Sequence, residues 1–108
     1  MARNSRLERG FQDNLIKTLK QLFPGCLTFK LERQGLPDIL ILYGDRWAAL
    51  ECKKSTNSAH RPNQDYYVDL MNEMSFARFI CHENKQEVLY ELQQSFASER
   101  NARIPRRE

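Results

Sequence analysis

Asp38, Glu51 and Lys53 are the residues whose types and spacing could do chemistry in this 108-residue chain. Asp38 stands just ahead of an apolar run, Ile39 to Tyr43. Glu51 and Lys53 follow a second run, Trp47 to Leu50. Between the runs lies Gly44-Asp45, a good two-residue hairpin loop because Gly at the first central position satisfies a type II′ turn. Counting outward pairs Tyr43 with Arg46, Leu42 with Trp47, Ile41 with Ala48, Leu40 with Ala49, Ile39 with Leu50 and Asp38 with Glu51. Directly opposed residues have Cβ atoms about 4.5–5.5 Å apart, and like charges placed there destabilise a sheet. Two such carboxylates require a cation, a shared proton or an escape into solvent. Strand alternation places Lys53 on the face of Glu51 and Cys52 on the other. The convergence reads as a metal-dependent hydrolytic site. Taken singly, each residue is read as well as an ordinary strand-end charge, and an Asp after Pro as turn chemistry.

The elements that must position these residues follow from periodicity. Leu7, Phe11, Leu15, Leu19 and Leu22 recur at helical spacing over residues 5–23, widened by Ile16 and Phe23. Arg9, Asp13, Lys17 and Lys20 fall opposite. At about 100° per residue, Glu8 lies within the apolar arc and Gln12 follows one turn later. A carboxylate aimed at a core needs a partner or a metal. Equally, an acid in a first helical turn favours the helix dipole. Pro24-Gly25 ends this helix.

Cys26 to Leu31 reads as a short strand, and residues 32–35 as the loop into the hairpin. The hairpin strands are apolar on both faces, which predicts central strands covered on both sides. Pro37 suits a strand's first residue. After a polar loop, Ser55 to Arg61, Pro62 opens a helix running to Met74. Tyr66, Leu70 and Met74 are its expected core face, with Tyr67 and Met71 beside them. Phe76 to Cys81 reads as a fourth strand. Asn84 with Glu87 resembles a capping box that opens a last helix through Val88, Leu89, Leu92 and Phe96. The order is α-β-β-β-α-β-α. The helical connection makes the third and fourth strands parallel, giving a small mixed sheet flanked by helices. Residues 1–97 form one expected domain. Residues 98–108 read as a flexible basic tail with Arg100, Arg103, Arg106 and Arg107, more readily solvated than bound to phosphates.

The net charge of +3 permits nucleic acid as a partner without demanding it. Three cysteines without CxxC spacing argue for a reduced, intracellular chain and against a zinc site. No apolar stretch nears the roughly 20 residues of a membrane span, and the N-terminus has no signal-peptide pattern. A cytoplasmic location is expected.

Pro37-Asp38 followed by Glu51-Cys52-Lys53, on these strands in this order, resembles the PD-(D/E)xK nuclease superfamily. The resemblance covers Leu7 through Phe96. The small size, the Glu8 position and the phrases LERGFQDNLIKTLKQLFPG and RPNQDYYVDLMNEMSFARFICHENKQEVLYEL look like small phage-type endonucleases and Holliday-junction resolvases. It implies an α/β fold with a restriction-endonuclease-like αβββαβ core plus a C-terminal helix. It also implies Mg²⁺ or Mn²⁺ held by Asp38, Glu51, the Cys52 carbonyl and Glu8. Lys53 would then act on the attacking water, and Gln64 would support the lysine or the substrate. Tyr66 and Tyr67 follow Gln64 where the longer family pattern expects a tyrosine at position 68, which is Val here. Arg33, Lys54, His60 and Arg61 are candidate DNA contacts, or ordinary solvated charges. Branched DNA is the expected substrate in phage recombination or processing, and symmetric junction cutting implies a homodimer. The alternatives are a nicking or double-strand endonuclease without structure preference, and an inactive DNA-binding module of the same fold.

Overall fold

The computed structural model describes residues 2–98, with side chains from residue 9 onward. The Glu8 side chain and the basic segment 99–108 lie outside the described residues. The elements are α1 (Ala2–Leu22), β1 (Leu27–Lys30), β2 (Ile39–Tyr43), β3 (Arg46–Cys52), α2 (Pro62–Met74), β4 (Ala77–Ile80) and α3 (Lys85–Ala97). The strands form one four-stranded sheet in the order β1-β2-β3-β4. β1, β2 and β3 pair antiparallel, whereas β3 and β4 pair parallel across the α2 connection. The described residues are therefore α/β, with a small mixed sheet and three helices in the expected order.

Hairpin pairing runs from Tyr43↔Arg46 to Ile39↔Leu50, as counting outward from the turn predicts. Gly44 has φ +66°, and among the described residues only glycines take positive φ. That sign pattern is the one a type II′ turn imposes on its two central residues.

Period-two alternation then sorts the side chains between two layers. Ile39, Ile41, Ala48, Leu50 and Cys52 face α1 and α3, packing with Leu15, Leu19, Phe23, Val88, Leu92 and Phe96. Each fully buried aliphatic side chain there contributes about 1.5–3 kcal/mol. Ala49 and Ala77 face α2 through Val68, with Trp47, Met71 and Phe79 alongside. Alanines let a helix lie close to the sheet, so this second layer is thin. Trp47 belongs to it, as core packing predicts.

The expected core face of α2 is not the one that is buried. Val68 is buried and Met71 packs on the sheet, while Tyr66 and Met74 stand 60% and 57% exposed. The helix carries two stripes, and the smaller side chains face the sheet because Ala49 and Ala77 leave little depth. Nor is β2 covered on both sides. Leu40 and Leu42 are only half-buried, and on β1 Leu27 and Phe29 are 57% and 47% exposed. α2 contacts β3 and β4, so the β1–β2 half of this face has no helix over it among the described residues.

Two helix starts also differ from expectation. α1 begins at Ala2 with no acid in its first turn, so Glu8 stands in the second turn. Asn84 is the N-cap residue of α3, yet its side chain makes no cap bond. Its Oδ1 accepts from Cys81 N at 2.8 Å and its Nδ2 donates to the Phe79 carbonyl at 3.1 Å. Asn84 fastens the end of β4 instead.

Candidate functional site

The site lies on the α2 face, where β3 ends and α2 begins. Asp38 is one step beyond the last ladder pair of β2 and β3, and its carbonyl accepts from Leu31 N at 2.8 Å, which ties it to the end of β1. Glu51 and Lys53 share a face of β3 by alternation, and Phe79 is the register partner of Glu51 on β4. The expected convergence of Asp38, Glu51 and Lys53 is present. All three line one cleft, with Cys52, His60 and Gln64.

The two carboxylates are accommodated by separate donors. Asp38 Oδ2 accepts from the Cys52 amide at 2.9 Å. Glu51 is 5% exposed, and its Oε2 accepts from Gln64 Nε2 at 3.0 Å. A carboxylate taken out of water is stable only with such partners. Each carboxylate of this hairpin end thus has a hydrogen-bond donor from within the chain.

Gln64 joins the site to the start of α2. Its Oε1 accepts from Lys53 Nζ at 2.7 Å and from Arg61 N at 3.1 Å. The second bond satisfies an amide at the helix start that has no intrahelical partner. One amide side chain therefore caps α2, holds the Lys53 ammonium and orients Glu51. Lys53 Nζ also donates to the Ala59 carbonyl at 3.0 Å, so the 53–61 loop folds back over its own strand. Glu83 fastens the other side of that loop by accepting from Thr56 N at 2.7 Å.

A second cleft of about 420 Å³ adjoins the first and shares Asp38, Glu51, Arg61 and Gln64 with it. Arg9 and Gln12 on α1, Lys30 on β1 and Arg33 in the 31–38 loop also line it. Cations thus rim a floor of two carboxylates. Arg9, on the polar side of α1 as the periodicity predicts, is exposed and also lines this cleft. Lys30 was also missed in the sequence. No local signal identified it, since β1 has no alternation that separates core from cleft.

The remaining candidates divide. Arg33 and Arg61 line the cleft that reaches Arg9 and Lys30, and His60 and Arg61 the cleft that holds Lys53. His60 stacks on Phe79 with ring centroids 3.9 Å apart and meets Asp65 Oδ1 through Nδ1 at 2.9 Å. Lys54 is exposed and lines neither cleft.

The donor set suits a hard cation. Mg²⁺ takes one or two carboxylates and keeps several waters, and Asp38 and Glu51 offer oxygens to one cleft beside the Cys52 strand position. Among the described residues no group of three or more His, Cys, Asp or Glu side chains gathers. No helix of the described residues is long and apolar enough to cross a membrane. Comparison of the chain with family models, with curated proteins and with solved structures finds no match.

Proposed function

We propose that this chain is a divalent-metal-dependent DNA endonuclease of the PD-(D/E)xK type, acting on branched DNA. The observation that supports it most is the grouping of Asp38, Glu51 and Lys53 along one cleft, with Gln64 linking Glu51 to Lys53. The αβββαβ order of the first six elements is compatible with the nuclease core that this reading requires.

In this reading Asp38, Glu51 and the Cys52 carbonyl would hold Mg²⁺ or Mn²⁺, with Glu8 included on the resemblance alone. When bound, the ion neutralises phosphate charge and makes water more acidic. Lys53 places its ammonium beside the scissile phosphate, orients the attacking water and offsets the charge that develops on the phosphoryl oxygens. Gln64 restricts the rotamers of Lys53 and Glu51, so little reorganisation accompanies reaction. Arg33, His60 and Arg61 receive flanking phosphates, and Lys54 is a more distant contact. Water oxygen bonds to phosphorus as the bond to the 3′ oxygen breaks, leaving a 5′-phosphate and a 3′-hydroxyl.

Incubation of the full chain with a four-way junction, a linear duplex and a single strand of matched sequence, each with and without Mg²⁺, tests the proposal. Preferential Mg²⁺-dependent cutting of the junction is expected. Asp38→Asn keeps an acceptor for the Cys52 amide while removing the charge. It should fold normally and lose about 10²–10³ of the rate, the scale for removing one preorganised electrostatic group. Equal rates on all substrates would leave a nuclease without structure preference. Metal-dependent cleavage unchanged by Asp38→Asn would remove the site assignment. DNA binding without cleavage under any divalent ion would leave a binding module.

A further inference from the structure

His60 is held from two sides at the cleft that contains Asp38, Glu51 and Lys53. Its ring lies on Phe79, with centroids 3.9 Å apart and planes 18° from parallel. Phe79 is the β4 partner of Glu51 in the parallel ladder, so the stack ties the imidazole to the strand beside that carboxylate. Nδ1 meets Asp65 Oδ1 at 2.9 Å, from the first turn of α2. An ionised carboxylate only accepts, so the proton of this bond belongs to Nδ1. Such a bond sets both the tautomer and the orientation of an imidazole. Nε2 makes no hydrogen bond among the described residues, and the side chain is 30% exposed.

The fold has little need of this pair. Gln64 Oε1 already accepts from Arg61 N at the start of α2. His60 and Asp65 are both exposed residues, and a surface pair stabilises by about 0–1 kcal/mol.

We propose that His60 gives a proton to the departing 3′ oxygen of the phosphodiester, with Asp65 as its positioning residue. This rests on the nuclease reading above, which assigns the attacking water to Lys53 and leaves the departing oxygen without a donor. An alkoxide departs slowly unless a proton reaches it as the bond breaks. Lys53 Nζ already donates to Gln64 and Ala59, and a guanidinium such as that of Arg61 keeps its proton. Of the side-chain types around the cleft, imidazole exchanges a proton most readily near neutral pH. The charged groups about the ring are Asp65 from α2, the neighbouring Arg61, and Lys53 from β3, whose Nζ lies 5.9 Å from the Phe79 centroid. β4 brings only the uncharged Phe79 to it.

The protonated ring enters the reaction with hydrogen on both nitrogens. Water oxygen bonds to phosphorus and its proton passes to solvent. The bond from phosphorus to the 3′ oxygen breaks with its electron pair on oxygen, which takes the Nε2 proton. The neutral ring keeps its Nδ1 proton, hydrogen-bonded to Asp65, and regains the other from solvent.

Cleavage by the full chain of its preferred DNA, with either oxygen or sulfur as the 3′ bridging atom at the mapped scissile bond, tests this under one divalent ion. A thiol ionises near pH 8.5 in cysteine, so a thiolate departs without a proton donor. His60→Gln keeps a hydrogen-bond donor but transfers no proton. It should cut the oxygen linkage at least about 100-fold more slowly than wild type, and the sulfur linkage within about 3-fold of it. Asp65→Asn should also lose rate selectively on the oxygen linkage, by less than His60→Gln. Equal losses on both linkages, or an oxygen rate unchanged by His60→Gln, would overturn the proton transfer and leave the nuclease reading standing. An Asp65→Asn rate equal to wild type would overturn the positioning role. Absence of metal-dependent cleavage of either linkage by the wild type would overturn both the inference and the reading beneath it.

Discussion

Gln64 Nε2 donates to Glu51 Oε2 across 3.0 Å, from the first turn of α2 to a carboxylate that is 5% exposed. The same side chain accepts from Lys53 and Arg61, so its loss acts on stability and on the site together. Gln64→Ala removes a donor from a buried carboxylate, which costs about 1–3 kcal/mol. Urea unfolding should report that loss, with a Tm fall of about 4–8 °C per kcal/mol for a domain near this size. A variant as stable as wild type would show that Gln64 is incidental to the packing of Glu51.

The hairpin register was legible because one turn determines every pair outward from it. Gly44 can take positive φ at the first central position, and each step of the count is then geometry. The α2 packing was not legible, because its sequence holds two stripes and the bulkier one drew the core assignment. Choosing Val68 over Tyr66 requires knowing that Ala49 and Ala77 stand opposite, which is a long-range fact. Asn84 misled for a similar reason. Its residue type suits an N-cap, but the end of β4 supplied a donor and an acceptor that only the fold brings near. At the site, Asp38, Glu51 and Lys53 were readable from alternation, while Arg9 and Lys30 come to the cleft only through the assembly of α1 with β1.

Arg33 and Arg61 line the cleft floored by Asp38 and Glu51 and Lys54 does not, which ranks them as phosphate contacts. If DNA enters this cleft, Arg33→Ala and Arg61→Ala should each weaken binding across all sequences. Each should also lower the slope of log K against log salt by about 1, one phosphate contact apiece. Lys54→Ala should change the slope less. Fluorescence anisotropy from 50 to 200 mM salt measures this, and equal slope changes for all three variants would reject the ranking.

Glu83 links the end of β4 to the loop beside the site through the Thr56 amide at 2.7 Å. That backbone hydrogen bond, first among the causes, holds the Glu83 carboxyl below its ordinary range. A depressed folded value means the link is fully present above ordinary glutamate titration, near pH 4.3. It is lost as pH falls through the lower folded value. The Thr56 amide should therefore exchange faster, relative to the intrinsic rate, as pH drops from about 5 to 3. In Glu83→Ala it should be fast throughout. Thr56 protection independent of both pH and this substitution would show that the loop is held by its Ser55–Ser58 turn instead.

Gly35 has φ +92°, and a Cβ there would lie 2.7 Å from Asn63 Nδ2. The Asn63 side chain can rotate aside, but the backbone strain remains. A non-glycine residue held in that region costs on the order of 1–3 kcal/mol. Gly35→Ala should therefore lower the urea midpoint with little change in m. The functional effect should exceed the loss of stability, because the 31–38 segment carries Arg33 and leads into Asp38. Displacing it moves a cleft cation and a carboxylate at once, and a 1 Å misplacement can cost about 10²-fold in rate. Measuring cleavage at a temperature where Gly35→Ala is fully folded separates the two effects. Full activity there would show that the loop's position does not govern the site.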